Sequence, residues 1–139
     1  MKSLMPTSLT AICCVLVTFN PAFAAPFDGT WSVTQDCQAA PDGARPFKWS
    51  YDAIVKDGVL TGQYGTKGKP ASLTLTGTIQ PDGTSQLAAR GLNGSSEHTV
   101  GFLKPGDSFY YTVQAQFTST TGTGSRTSGR TCIFSFVKH

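Results

Sequence analysis

The sequence predicts an all-β protein: a single antiparallel up-and-down meander of seven to eight strands, closed into a small barrel and tied by one disulfide, with a β-sandwich as the alternative. Three observations predict it. Apolar and polar residues alternate with period two along most of the chain. Short turns rich in Gly, Asp and Pro separate the alternating runs. No stretch holds a helical period of useful length.

The elements follow in order. Phe27, Gly29, Trp31 and Val33 share one side of a first strand. Phe47, Trp49, Tyr51, Ala53 and Val55 share one side of a second, with Lys48, Ser50, Asp52 and Lys56 opposite. Asp57-Gly58 is a hairpin turn, because Gly tolerates positive φ. Residues 59–64 form the third strand, and a polar, Gly-rich turn follows at 65–70. Leu73, Leu75, Gly77 and Ile79 alternate with Ser72, Thr74, Thr76 and Thr78 in the fourth. Pro81-Asp82-Gly83 turns the chain into a fifth strand at 85–92, which Asn93-Gly94 closes. Residues 99–103 read as a short sixth strand ended by Lys104-Pro105-Gly106-Asp107. The seventh is the clearest, with Phe109, Tyr111, Val113, Ala115 and Phe117 on one face and Tyr110 out of pattern on the other. Residues 120–129, rich in Gly, Ser and Thr, read as a long loop or ragged strand start. The last strand, 131–137, places Cys132, Phe134 and Phe136 on one parity.

A meander with one apolar face per strand must bury that face. Closing the sheet does so and removes its edges. A sandwich would need longer crossing connections than most of these turns.

The N-terminus reads as an export signal. Lys2 is a short basic start, residues 9–19 are apolar, and Asn20-Pro21 breaks any helix. Ala22-Phe23-Ala24 sets small residues before a cleavage point between Ala24 and Ala25. The apolar run falls short of the about 20 residues that span a bilayer. The expected product is one domain, residues 25–139, secreted or periplasmic, with no stable membrane anchor after cleavage. Cleavage reduces four cysteines to Cys37 and Cys132. In an oxidising compartment that pair is most simply a disulfide. In the chain-entropy account a loop of that size contributes roughly 4–5 kcal/mol. A nucleophilic or redox role would need an activated thiolate, and neither a CxxC nor a nearby His is present to provide one.

The net charge is only +3, with Lys2 inside the signal, and the basic residues are scattered. That excludes a nucleic-acid footprint. His98 and His139 are the only histidines and Glu97 the only glutamate. Ser95, Ser96 and Asp107 stand near His98, but no nucleophile elbow accompanies them. Glu97-His98 offers two adjacent ligands without the spacing of a metal site. Gly122-Thr123-Gly124-Ser125 lacks the strand–helix context of a phosphate loop. No catalytic residue, metal or cofactor is therefore expected. Asn93-Gly94-Ser95 matches a glycosylation sequon, a pattern too common to weigh.

Aromatic residues remain. Phe47, Trp49, Tyr51, Phe109, Tyr111, Phe117, Phe134 and Phe136 share the inward faces. They fill a small barrel outright, or they leave an apolar pocket with Trp49, Tyr51 and Tyr111 as ligand-binding residues at its mouth.

Gly29-Thr30-Trp31 near the start, the run from Asp57-Gly58-Val59-Leu60-Thr61-Gly62 to Gln63-Tyr64, and Leu75-Thr76-Gly77 resemble the calycin-type barrels: lipocalins, avidins and small bacterial periplasmic inhibitors. The avidins have a similar hairpin. They place polar biotin ligands just after the first-strand Trp, where this chain has Ser32 and Val33, and they use several later Trp, where this chain has only Trp31 and Trp49. Biotin binding is not carried over. Calycins often pack a basic residue of the last strand on the first-strand Trp, with Arg126, Arg130 and Lys138 available here. If Cys37 lies opposite Cys132, Trp31 faces Lys138; if Cys37 lies in the following loop, the choice stays open.

The functional expectation is a non-enzymatic binding barrel for a small apolar or amphipathic ligand. The alternative is a protein-interaction module such as a periplasmic protease or lysozyme inhibitor, with residues 36–46 as a contact loop.

Overall fold

The structure is a computed structural model that describes residues 3, 13–16 and 26–139. The cleavage motif Ala22-Phe23-Ala24 lies outside the described residues. Cys13 and Cys14 are exposed.

Eight antiparallel strands close into one barrel in sequence order: β1 Gly29–Cys37, β2 Phe47–Lys56, β3 Val59–Tyr64, β4 Ser72–Thr78, β5 Thr84–Leu92, β6 Ser108–Phe117, β7 Thr121–Arg126 and β8 Cys132–Lys138. Closure runs through β1 and β8, from Trp31↔Lys138 to Cys37↔Cys132. The final pair of that register is the disulfide, its Cα atoms 4.0 Å apart. Trp31 therefore has Lys138 as its cross-strand neighbour. Its ring packs edge-on against Phe117 at 5.5 Å.

Two elements differ from the sequence reading. The strand expected at 99–103 is absent. Two single 3-10 turns, Ser96–His98 and Val100–Phe102, stand there instead. Gly101 and Phe102 have φ of 77° and 49°, which no pleated strand accommodates. Asn93 holds this connection shut. Its side-chain amide donates to the Leu103 carbonyl and its amide oxygen accepts from Thr99 Oγ1. Conversely, β7 occupies residues expected to form a loop. Its inward positions are Gly122 and Gly124, and a Cβ on Gly122 would lie 2.6 Å from the Phe117 ring. Phe117 in front of Gly122, and Val113 and Ala115 in front of Gly124, fill that volume, so the strand carries no apolar residue to announce it.

The two ends of the barrel differ. At one end the connections are tight, and Phe27, Trp31, Phe117 and Phe136 seal the interior. Trp31 Nε1 donates to the Phe27 carbonyl at 2.9 Å, which fixes the chain entering β1. The Asp28 carboxylate accepts from the backbone N–H groups of Asp57 and Gly58, pinning the β2–β3 turn beneath it. Val33, Val55, Leu60, Leu75, Leu87 and Val113 fill the barrel above. At the other end the connections 38–46, 65–71, 93–107 and 127–131 are long, and here the interior opens.

Candidate functional site

Strand parity delivers the site. The inward row of β2 begins Phe47, Trp49, Tyr51; that of β6 begins Phe109, Tyr111; that of β7 ends on Arg126. Phe47, Trp49, Phe109, Tyr111 and Arg126 reach the open end, where together with the 93–103 segment they enclose a cavity of about 580 Å³. Its walls are aromatic. Phe47 and Trp49 pack at 4.8 Å, and Tyr64 stacks nearly parallel on Trp49 at 4.2 Å. Phe109 stacks on Tyr111 at 5.9 Å.

Two arginines complete the lining, with different duties. Arg130 is only 3% exposed and sits over the Phe47 ring. Its Nε and Nη2 donate to the Gln38 carbonyl, Nη2 also to that of Arg45, and Nη1 to that of His98. It clamps the 38–46 and 93–107 connections together. Arg126 lies over the Tyr111 ring at 3.9 Å, and its Nε donates to the Ser128 carbonyl at 2.8 Å. Burial pulls both guanidinium groups below their ordinary value, yet arginine stays charged at any physiological pH.

Asp42 braces the same loops from outside. Its carboxylate accepts from Gly101 N–H and Ala44 N–H, and these bonds hold its pKa below the ordinary 3.8. Ala40 and Ala44 are buried, so the 38–46 connection packs against the barrel.

Next to the lining, in the barrel interior, lies a small polar group. Gln35 is fully buried, and its Nε2 donates to the Tyr111 hydroxyl at 2.7 Å. Gln35 Oε1 and Tyr51 Oη have no hydrogen-bond partner. Burial pushes the Tyr111 phenol up to about 12 and raises that of Tyr51 as well, with repulsion from Tyr111 adding to the latter. Both stay neutral phenols at physiological pH.

Of the three residues expected at the mouth, Trp49 and Tyr111 line the cavity. Tyr51 does not; it is buried deeper, edge-on to Tyr64 at 6.1 Å. The interior is thus filled at one end and open at the other. Sequence reasoning weighed Arg126 and Arg130 only as partners for Trp31, whose cross-strand neighbour is Lys138, and missed them, with the 93–103 wall, as cavity residues. The available signal for Arg126 was parity, since Gly122, Gly124 and Arg126 fall on one face of an alternation whose other face is Thr121, Thr123 and Ser125.

His98 lines the cavity, and its Nδ1 lies 3.1 Å from Ser95 Oγ. Among the described residues no carboxylate lies within ion-pair range of His98. The pair lacks the orienting third group that makes a serine nucleophilic. Among the described residues no three His, Cys, Asp or Glu side chains cluster as metal ligands. The Asn93 amide is buried within its own loop. Comparison with protein-family models, with curated proteins and with solved structures finds no match for this chain.

Proposed function

We propose that this protein is an exported, non-enzymatic barrel of calycin type that binds a small amphipathic ligand in its mouth. One observation carries the reading: an aromatic-walled cavity of about 580 Å³ at the end where a filled barrel would be closed. Ligand pockets commonly fall in the range of roughly 300–1,000 Å³, with apolar walls and a few placed polar groups. Trp49 and Tyr111 supply apolar bodies with polar tips, which suit such contact. The clamp from Arg130 supports the reading too, because a preformed site spares the ligand the cost of ordering loops.

The test is a fluorescence titration of the purified protein with N-phenyl-1-naphthylamine, an uncharged aromatic probe. Saturable enhancement at one probe per chain is expected, with Trp49→Ala weakening it roughly ten-fold or more, the scale of losing one large aromatic contact. Absence of saturable binding, or binding indifferent to Trp49, would rule out the mouth as the ligand site.

A further inference from the structure

We propose that the ligand carries an anionic end group, and that Arg126 and the Tyr111 hydroxyl receive it. This rests on the mouth being the ligand site. Three features of the lining converge on it.

The first is an uncommitted cation. Among the described residues no carboxylate lies within ion-pair range of Arg126. Its Nε is satisfied by Ser128 and its other polar partner is the Tyr111 hydroxyl, but no carbonyl or carboxylate engages Nη1 or Nη2. Arg130 is the contrast within the same cavity, since all three of its nitrogens end on loop carbonyls. Arg126 is therefore not needed as a loop clamp in the way Arg130 is. It is half-buried against an aromatic face, where a charge loses hydration and gains most from an opposite charge.

The second is a directed donor. Tyr111 Oη accepts from Gln35 Nε2, so its own proton is unspent. The phenol and the guanidinium lie stacked at 3.9 Å, and both line the cavity. Guanidinium and hydroxyl donors side by side match an acceptor with two or more oxygens and a negative charge.

The third is the charge balance. The carboxylates of the connections at this end are engaged elsewhere: Asp42 by Gly101 and Ala44 N–H, Asp107 by Lys104 N–H, and Glu97 by Arg45 at 3.5 Å. The cavity lining carries two guanidinium groups and no carboxylate. The remaining walls, Phe47, Trp49 and Phe109, take an apolar body, so the ligand class is an organic monoanion with an apolar or aromatic body.

The decisive comparison uses two probes of one skeleton, N-phenyl-1-naphthylamine and its sulfonated analogue 8-anilinonaphthalene-1-sulfonate. The sulfonate is expected to bind roughly ten-fold tighter or better, as a charge-assisted hydrogen-bonded contact warrants. Arg126→Met should remove that advantage, weakening the sulfonate far more than the uncharged probe, while Arg126→Lys should keep part of it. If Arg126→Met loses both probes through a disturbed mouth, the salt dependence of sulfonate binding to the unmodified protein decides: weakening by salt supports the ion contact, and indifference overturns it. Equal affinity for the two probes, or a sulfonate preference that survives Arg126→Met, overturns the anionic end group but leaves the ligand site standing. Failure of both probes to bind overturns both.

Discussion

At the scale of single residues, the mouth depends on a division of labour between two arginines that look alike in the sequence. Arg130 donates to three carbonyls from two connections while buried over Phe47. Truncating it leaves those part-buried carbonyls short of donors. Arg130→Met should cost about 2–4 kcal/mol in urea denaturation, given four bonds from a charged donor of which some are replaced by water. Arg130→Lys should recover little, because an ammonium cannot span the same fork of acceptors. A loss below about 0.5 kcal/mol, the range of an ordinary surface change, would show that the clamp is idle. Gln35 makes the opposite case. It gives one good hydrogen bond to Tyr111 while its own Oε1 has none. Gln35→Leu exchanges a half-satisfied amide for an apolar group of similar size, so its effect should stay within about 1 kcal/mol of neutral. A loss of several kcal/mol would mean that the Gln35–Tyr111 bond organises the interior.

At the scale of elements, β7 shows what period-two reading detects and what it cannot. In β2 and β6 the inward positions hold Phe47, Trp49, Tyr51, Phe109 and Tyr111, and the alternation is plain. In β7 the inward positions hold Gly122 and Gly124 because Phe117 and Val113 occupy the space in front of them. The strand is specified by its neighbours' bulk, which a linear pattern does not express. The 99–103 segment erred the other way. Val100, Phe102 and Leu103 supply apolar residues, but Asn93 folds the backbone into turns through bonds that only the folded loop brings together. The site was legible to the same degree: Trp49 and Tyr111 follow from apolar alternation and the parity of β7 points Arg126 inward, whereas its stacking on a ring and the clamp of Arg130 on distant carbonyls leave no trace in a linear pattern. Gly122→Ala tests the β7 account. Its Cβ would press on the Phe117 ring within the sealed core, and such overpacking should cost about 1–3 kcal/mol by denaturation. No loss would mean that β7 is loosely held. The Asp42 brace makes a prediction about pH. Its folded-state pKa is lowered, so the stability it contributes is fully present above the ordinary 3.8 and is lost as pH falls through the depressed value. Between about pH 5 and pH 2 the unmodified protein should therefore lose more stability than Asp42→Asn. Parallel losses would remove Asp42 from the account of the loops.

At the scale of the whole molecule, the barrel has a sealed end and an end that opens on a cavity. The sealed end spends its aromatics on one another, with Phe27, Trp31 and Phe136 all packed on Phe117. The open end presents its aromatics to a cavity and fastens the surrounding loops with Arg130, Asp42 and the Cys37–Cys132 disulfide. The disulfide joins residues already opposite in the β1–β8 register, so it reinforces closure that pairing has established. Replacing both cysteines by Ala should lower stability by a few kcal/mol, at most the roughly 4–5 kcal/mol of loop entropy, while far-ultraviolet circular dichroism stays that of a β protein. Loss of the β spectrum would mean that the bond, and not the register, closes the barrel. The same division gives the most direct test of the ligand site, because the described residues carry one tryptophan at each end. Trp49 walls the cavity, and Trp31 is locked at the sealed end with its Nε1–H on the Phe27 carbonyl. In a 1H–15N correlation spectrum titrated with N-phenyl-1-naphthylamine, the Trp49 indole signal should shift saturably and the Trp31 indole signal should stay in place. A Trp31 signal that moves as far as that of Trp49, or a Trp49 signal that does not move at all, would contradict a ligand site at the mouth.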